Sequence, residues 1–253
     1  MQDLPKLVLS SDEDRLFSQG NYPKPFAFNE EVVAVFDDMV KRSIPLYQDV
    51  TRYVTRWALS VCKEGDKIYD LGCSTGTSML HIMQSLPFSA HFIGVDNAPA
   101  MIEKAKLKLE QHSAQHRYEL LCQNLNNVSI SAAKFTIMNY TLQFLPVSER
   151  SLLLKKIYEG SKPGAILFLS EKVRACCPEF QETTTRIYES FKQEQGYSRH
   201  EIAKKKEALE NVLVPFTVEE HMENLRQAGF TKIEMVMRWN NFVSFVALKE
   251  AHH

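Results

Sequence analysis

Two short segments carry the residue types that a nucleotide site needs. In the first, Lys67–Thr77, an apolar run ends at Asp70 and breaks into Gly72 and Gly76 before a helical pattern begins, which predicts strand, tight turn and helix. In the second, another apolar run ends at Asp96. Glycines let a backbone approach its ligand, and an acid about 20 residues later can hold a ribose diol. The two segments together predict half of a Rossmann-like nucleotide site.

The spacing of the glycines indicates which nucleotide binds. Dinucleotide sites use G-x-G-x-x-G and leave a helix N-terminus free for pyrophosphate, whereas this turn has Gly72 and Gly76 four residues apart and Asp70 leading into it. A carboxylate there repels phosphate and attracts a cation. S-adenosylmethionine fits, because it has an adenosine, no phosphate, a sulfonium and an amino group. The alternative is a tight turn with no ligand.

Length and composition limit the class of protein. The 253 residues are enough for one sizeable domain with an insertion. Thirty Lys and Arg against 31 Asp and Glu leave a net charge of -1, which predicts a small-molecule partner and no direct nucleic-acid binding. Because we see no signal-peptide pattern and no run of about 18 apolar residues, we expect a cytoplasmic protein without a membrane span.

The cysteines and histidines predict neither a disulfide framework nor a metal site. Five cysteines are scattered along the chain, without C-x-x-C or zinc-type histidine spacing. Cys73 lies in the predicted nucleotide turn. It is either a nucleophile or a small residue packed beside the ligand, and we favour the second.

The order of patterns predicts an α/β chain with a mostly parallel, doubly wound sheet and a C-terminal antiparallel hairpin. Strands are predicted at 67–71, 91–96, 118–122, 135–138 and 165–171, helices at 78–86, 98–113 and 147–160, and the hairpin at 233–238 with 241–248. Thr217 with Glu220 forms a capping box for the last helix, which Gly229 ends.

We expect a single domain with three parts around this pattern. Residues 1–63 are an N-terminal arm and cover, in which residues 1 to about 25 are mobile or loosely docked. Two cover helices follow, the first capped by Asn29 and stopped by Pro45, the second at 48–62. Residues 64–175 and 216–250 form the α/β core.

Residues 176–215 form a helical insertion of two polar helical patterns joined near Tyr197. We expect it over the carboxyl ends of the strands, where ligands bind in open sheets; the alternative is a solvated hairpin. The run Lys204–Lys206 is either an exposed helix face or paired locally with Glu207 and Glu210.

The strand ends supply candidate ligand contacts. We expect Asp70 and the backbone of 72–74 at the methionine part, Asp96 at the ribose, Asn97 and Asn124-Leu125 near the adenine, and Asn139 at the methionine end. For both Asn124 and Asn139 the alternative is loop capping. No Asp/Asn-Pro-Pro-Tyr motif follows the fourth strand, and no acid–base pair for deprotonating a methyl acceptor is evident. The sequence therefore indicates a methyltransferase fold more clearly than a methyl-transfer activity. The catalytic residues stay unassigned.

Seven blocks of the chain resemble those of one family. They are MVKRSIPLY at 39–47, DLGCS at 70–74, DNAPAMI at 96–102, NYTLQFL at 139–145, SEK at 170–172, GYS at 196–198 and LENV at 209–212. Generic methyltransferases share only the early nucleotide blocks. Over residues 30 to 249 the chain resembles the carboxy-S-adenosyl-L-methionine synthases.

This resemblance implies a class I methyltransferase fold that makes a metabolite. The family converts S-adenosylmethionine and prephenate into carboxy-S-adenosylmethionine and phenylpyruvate, capturing the lost carboxyl group at the sulfonium methyl carbon. A separate enzyme then uses the product to modify wobble uridine in tRNA. The resemblance also implies a homodimer, with residues 176–215 as a dimer contact.

The resemblance implies a set of residues that line the cofactor. They are Tyr47, Gly72, Cys73, Ser74, Asp96, Asn97, Asn124, Leu125 and Asn139, with Lys206 at the product carboxylate. Two positions depart from the family pattern. Asn124 replaces an Asp, and Lys206 replaces an arginine that the family supplies from the neighbouring subunit; lysine keeps the charge but loses the planar fork.

Two other functions stay open at this point. One is a small-molecule methyltransferase that has lost carboxylate recognition. The other is a non-catalytic carrier or sensor of S-adenosylmethionine.

Overall fold

A computed structural model describes residues 4–7, 9, 11–18, 25–111 and 116–251. A seven-stranded sheet runs through its centre in the order β3-β2-β1-β4-β5-β7-β6. The strands are β1 (Lys67–Leu71), β2 (His91–Asp96), β3 (Arg117–Cys122), β4 (Ala133–Asn139), β5 (Ser161–Lys172), β6 (Lys232–Trp239) and β7 (Phe242–Leu248). The first five strands pair in parallel and β7 is antiparallel to β5 and β6. The predicted fold class is therefore confirmed.

Helices cover both faces of the sheet. They are α1 (Glu30–Ser43), α2 (Tyr47–Val61), α3 (Thr77–Ser85), α4 (Pro99–Glu110), α5 (Val147–Gly160), α6 (Pro178–Glu194), α7 (Arg199–Ala208) and α8 (Val218–Ala228). Short 3₁₀ helices follow β3 and β4, at Leu125–Asn127 and Leu142–Phe144. The predicted helix at 98–113 extends too far, since α4 ends at Glu110; positions 112–115 lie outside the described residues.

The apolar residues of β1 are buried on both faces of the sheet. Tyr69 and Leu71 belong to a core cluster that also contains residues of α5 and α8. Ile68, directly before Tyr69 in the strand, belongs to a second cluster with residues of α2 and α3. Side chains alternate across a strand, so burial on both faces produces the continuous apolar run seen in the sequence.

Local signals fix the ends of several helices. Asn29 accepts the N–H of Val32 at the start of α1, as predicted. Thr217 and Glu220 form the predicted capping box of α8. Gly229 ends that helix at φ +115°, and a Cβ there would lie 2.6 Å from the Tyr158 ring, so only glycine fits.

The N-terminal arm departs from the expectation of loose docking. Residues 11–18 pack on the domain, with Phe17 buried and Asp14 only 1% exposed. Asp14 accepts a hydrogen bond from Tyr197 at 2.5 Å and pairs with Lys205 at 3.4 Å. The prediction is wrong for this part of the arm because its buried acid has specific partners in the insertion; positions 1–3, 8, 10 and 19–24 lie outside the described residues.

The insertion consists of α6 and α7, and it is docked against α1. The hydroxyl of Tyr188 donates to the carbonyl of Ser43 at 2.8 Å, and the guanidinium of Arg42 donates to the carbonyl of Gln195 at 2.9 Å. The same guanidinium lies 4.1 Å from the centroid of the Tyr197 ring. These contacts exclude a hairpin solvated on all sides.

Candidate functional site

A cavity of about 900 Å³ opens at the carboxyl edge of the parallel strands. All ten residues singled out from the sequence line it: Tyr47, Gly72, Cys73, Ser74, Asp96, Asn97, Asn124, Leu125, Asn139 and Lys206. Helices α1, α6 and α7 supply further walls. The structure thus brings the predicted residues together; what each of them binds stays a prediction.

The strand order arranges these residues in a row. Asn124 follows β3, Asp96 ends β2, Asp70 is in β1, Asn139 ends β4 and Lys172 ends β5. Because neighbouring parallel strands lie about 5 Å apart, the cavity runs from the predicted adenine end, past the ribose and methionine positions, to a lysine.

The turn after β1 depends on its glycine. Gly72 has φ +82°, and a Cβ there would lie 2.2 Å from the Thr141 hydroxyl oxygen. Ser74 also adopts a left-handed conformation, with φ +48°. Glycine is favoured where the backbone must be left-handed and closely approached, and here the approaching group is the loop after β4.

Asp96 holds the turn in place. Its carboxylate accepts the N–H of Ser74 at 3.0 Å and the N–H of Ala98 at 2.9 Å. Burial raises the pKa of this carboxyl, whereas these backbone donors lower it. A carboxylate has about four acceptor positions, so these backbone donors leave acceptor capacity for a diol.

Asp70 is the second acid in the cavity, and one of its carboxyl oxygens has no hydrogen-bond partner among the described residues. Burial, reinforced by Asp96, raises the pKa of Asp70 to about 7. An unpaired buried carboxyl favours a cation beside it. The sulfonium and amino groups of S-adenosylmethionine would satisfy that requirement.

The two asparagines differ in their local bonding. Asn124 accepts the N–H of Asn126 at 2.9 Å and so caps the 3₁₀ helix after β3, in agreement with its capping alternative, although it also lines the cavity. The side-chain oxygen of Asn139 is buried without a partner among the described residues. Asn139 therefore retains an acceptor for a ligand.

Cys73 is buried, and burial together with Asp70 and Asp96 raises the pKa of its thiol well above the ordinary value. Thiolates are the reactive form of cysteine. The structure favours a packing role over a nucleophilic one.

The Lys204–Lys206 run divides among three environments. Lys204 pairs with Glu207 at 3.6 Å on the surface, as one alternative predicts. Lys205 is buried against Asp14, which neither alternative predicted. Lys206 is largely exposed, lines the cavity of its own chain and pairs with Glu189 at 3.3 Å.

Sequence reasoning missed two further lysines that line the cavity. Lys172 at the end of β5 and Lys192 in α6 both line the cavity, and each ammonium lies 4.6 Å from the centroid of the Tyr188 ring. The available signals were the position of Lys172 directly after a predicted strand and the i, i+4 spacing of Tyr188 and Lys192 in a polar helix.

Across the described ranges, no three His, Cys, Asp or Glu side chains are grouped to hold a metal ion. Within the same ranges, no helix has both the length and the apolar character to span a bilayer.

The fold is that of the class I S-adenosylmethionine-dependent methyltransferases. A family model described as "Methyltransferase domain" matches residues 68–164. The magnesium protoporphyrin IX methyltransferase of Synechocystis, solved with bound SAH, superposes with a TM-score of 0.59 at 16% identity, covering 84% of this chain and 87% of that chain.

Sequence comparison then gives the family. A carboxy-S-adenosyl-L-methionine synthase of Trichodesmium erythraeum is 48% identical over 96% of both chains. One from Nitratiruptor is 40% identical over 94% of this chain and 98% of its own. The chain belongs to the carboxy-S-adenosyl-L-methionine synthase family.

Proposed function

We propose that this protein converts S-adenosylmethionine and prephenate into carboxy-S-adenosylmethionine and phenylpyruvate. One observation carries the proposal: a single cavity has acceptor groups for a cationic nucleoside at one end, Asp96 and Asp70, and lysines for an anionic partner at the other. A methyltransferase acting on a neutral acceptor has no need of the second end.

The atoms of the reaction balance without an added oxidant or reductant. The bond from the prephenate ring to its carboxyl carbon breaks, the ring becomes aromatic as its hydroxyl leaves, and a new bond joins that carbon to the sulfonium methyl carbon. One proton from that methyl group and the departing hydroxide form water. A sulfonium stabilises the adjacent carbanion during the transfer.

Apolar side chains from α1 and the segments on either side of it line the same cavity, among them Phe28, Phe36, Met39 and Ile44. Walls of this kind exclude water. Water would otherwise protonate the carbanion or hydrate carbon dioxide. The cover helices therefore support carboxyl transfer as well as binding.

We further propose a cytoplasmic homodimer whose product supplies the carboxymethyl group for tRNA wobble uridine, without nucleic acid binding by this protein itself. If a neighbouring subunit supplies Lys206, mixing Lys206→Ala chains with Asp96→Ala chains restores part of the activity. An absence of restoration would assign Lys206 to the cavity of its own chain.

The direct test is incubation of the purified protein with S-adenosylmethionine and prephenate, followed by mass spectrometry. We expect a nucleoside heavier than S-adenosylmethionine by one carbon dioxide, formed in equal amount with phenylpyruvate. We expect the same species to co-purify with protein from its native source. Methylation of an added acceptor without this product would support a methyltransferase, and binding without turnover a carrier.

A further inference from the structure

Tyr188 places two lysines at one end of the cavity. Its hydroxyl is fixed by the Ser43 carbonyl, and its ring packs against Phe242 with centroids 5.2 Å apart. Lys172 reaches the ring from β5 and Lys192 from the next turn of α6, each at 4.6 Å. Contacts of this kind fix the position of a cation while leaving its charge available.

The other two lysines nearby are already neutralised. Lys205 pairs with Asp14, and Lys206 with Glu189. Within the described part of the chain, no carboxylate lies within salt-bridge distance of the ammonium groups of Lys172 and Lys192. This end of the cavity therefore holds two lysines that lack a salt bridge among the described residues, with the Glu189 carboxylate attracting both only at longer range.

Such a pair is unfavourable in the empty protein. Lys192 is only 6% exposed, and burial together with neighbouring lysines lowers the pKa of Lys192 to about 7 and that of Lys172 to about 8. Buried cations require a counter-charge. An anion bound between them relieves both the desolvation and the mutual repulsion.

The position of Lys172 relative to the predicted methionine end limits what that anion is. Asn139 on β4 pairs in register with Ser170 on β5, and Lys172 follows two residues later. Both lysines line the same cavity as Asn139, so they lie on the side of the predicted methionine end that faces away from the adenine end.

We infer that Lys172 and Lys192, held against Tyr188, bind the carboxylate of the carboxyl donor that survives the reaction. This inference rests on the proposed function. Prephenate has two carboxylates, and the one attached to the ring leaves as neutral carbon dioxide. Pairing that group with lysines would stabilise the reactant and slow its loss, so the cationic pair serves the keto-acid carboxylate, which stays charged throughout.

Phenylpyruvate is a suitable probe because it keeps only the surviving carboxylate. We would measure its affinity by calorimetry in the presence of S-adenosylmethionine, alongside kcat and KM for prephenate, in Lys172→Met, Lys192→Met and the double variant. Lys204→Met is the matched control, since Lys204 is on α7 but does not line the cavity. Thermal unfolding checks that each variant is folded.

We expect each single variant to weaken phenylpyruvate binding and raise KM for prephenate at least tenfold, with the affinity for S-adenosylmethionine changed less than threefold. Lys192→Arg should recover part of the loss, and Lys204→Met should behave as the wild type. If wild-type protein forms product and both single variants bind phenylpyruvate normally, the inference is wrong and the proposed function stands. If wild-type protein forms no product from prephenate, both fail.

Discussion

The backbone N–H of Ser74 donates a hydrogen bond to the Asp96 carboxylate at 3.0 Å. This contact ties the turn after β1 to the end of β2. The acid expected to hold the ribose is thus also the acid that shapes the glycine turn, so a ligand bound to one element depends on the other.

We expect Asp96→Ala to weaken S-adenosylmethionine binding at least about tenfold, because charged hydrogen bonds contribute roughly 1.5–3 kcal/mol each. Asp96→Asn keeps one acceptor and should lose less. Calorimetry measures both, with circular dichroism to check the fold. Wild-type affinity in Asp96→Ala would mean that β2 does not end at the ribose.

The buried carboxyl of Asp70 should lower the free energy of unfolding of the protein without ligand. The unfolded chain ionises this carboxyl near pH 3.8, whereas the empty folded protein retains the proton until about pH 7. The group therefore destabilises the folded state increasingly from pH 4 to 7 and remains destabilising above that range. Asp70→Asn should stabilise the empty protein at pH 8 by about 1–4 kcal/mol, as measured by chemical denaturation.

The same carboxyl predicts a pH dependence of binding. A cationic ligand favours ionised Asp70, so wild-type affinity for S-adenosylmethionine should fall as the pH drops below about 7. Asp70→Asn should bind more weakly and lack this component. The difference between the two proteins reports the acid, since the amino group of the ligand titrates in both; parallel profiles would contradict the assignment.

Lys206 should distinguish product from substrate. Lys206→Ala is expected to weaken the binding of carboxy-S-adenosylmethionine more than the binding of S-adenosylmethionine, by a difference of roughly 1–3 kcal/mol. Lys206→Arg should keep the preference for the carboxylated nucleoside. Glu189→Gln frees Lys206 from its ion pair and should strengthen product binding. Equal effects on both nucleosides in calorimetry would leave Lys206 as an exposed helix residue.

His221, which lies outside the cavity, should make the folded protein sensitive to acid. Neither ring nitrogen has a partner among the described residues, and burial lowers the pKa of His221 to about 4. The free energy of unfolding therefore keeps its full value above pH 6.5, the ordinary pKa of histidine. It falls by up to about 3 kcal/mol as the pH drops from 6.5 to 4. His221→Phe should flatten this loss in denaturant titrations. Replacing exposed His200 by Asn is the control; equal acid sensitivity in His221→Phe would refute the assignment.

Much of the fold could be read from local patterns. β1, β2 and α5 have the predicted boundaries, because apolar runs, capping residues and glycines act through neighbours in sequence. Errors fall where long-range contacts decide. Residues 11–18 were predicted to be mobile or loosely docked, but Asp14 accepts hydrogen bonds from Tyr197 and Lys205, which are more than 180 residues away in sequence.

The sequence by itself determined the sheet, the glycine turn and the residues at its strand ends, since periodicity and turn chemistry are local and parallel strands bring their carboxyl ends to one edge. Only the tertiary structure decided which lysines matter. The sequence singles out Lys206 through the family resemblance and assigns nothing to Lys172 and Lys192. Their surroundings depend on contacts between distant elements, because Glu189 of α6 pairs with Lys206 whereas the ring of Tyr188, one residue earlier, lies against Lys172 and Lys192.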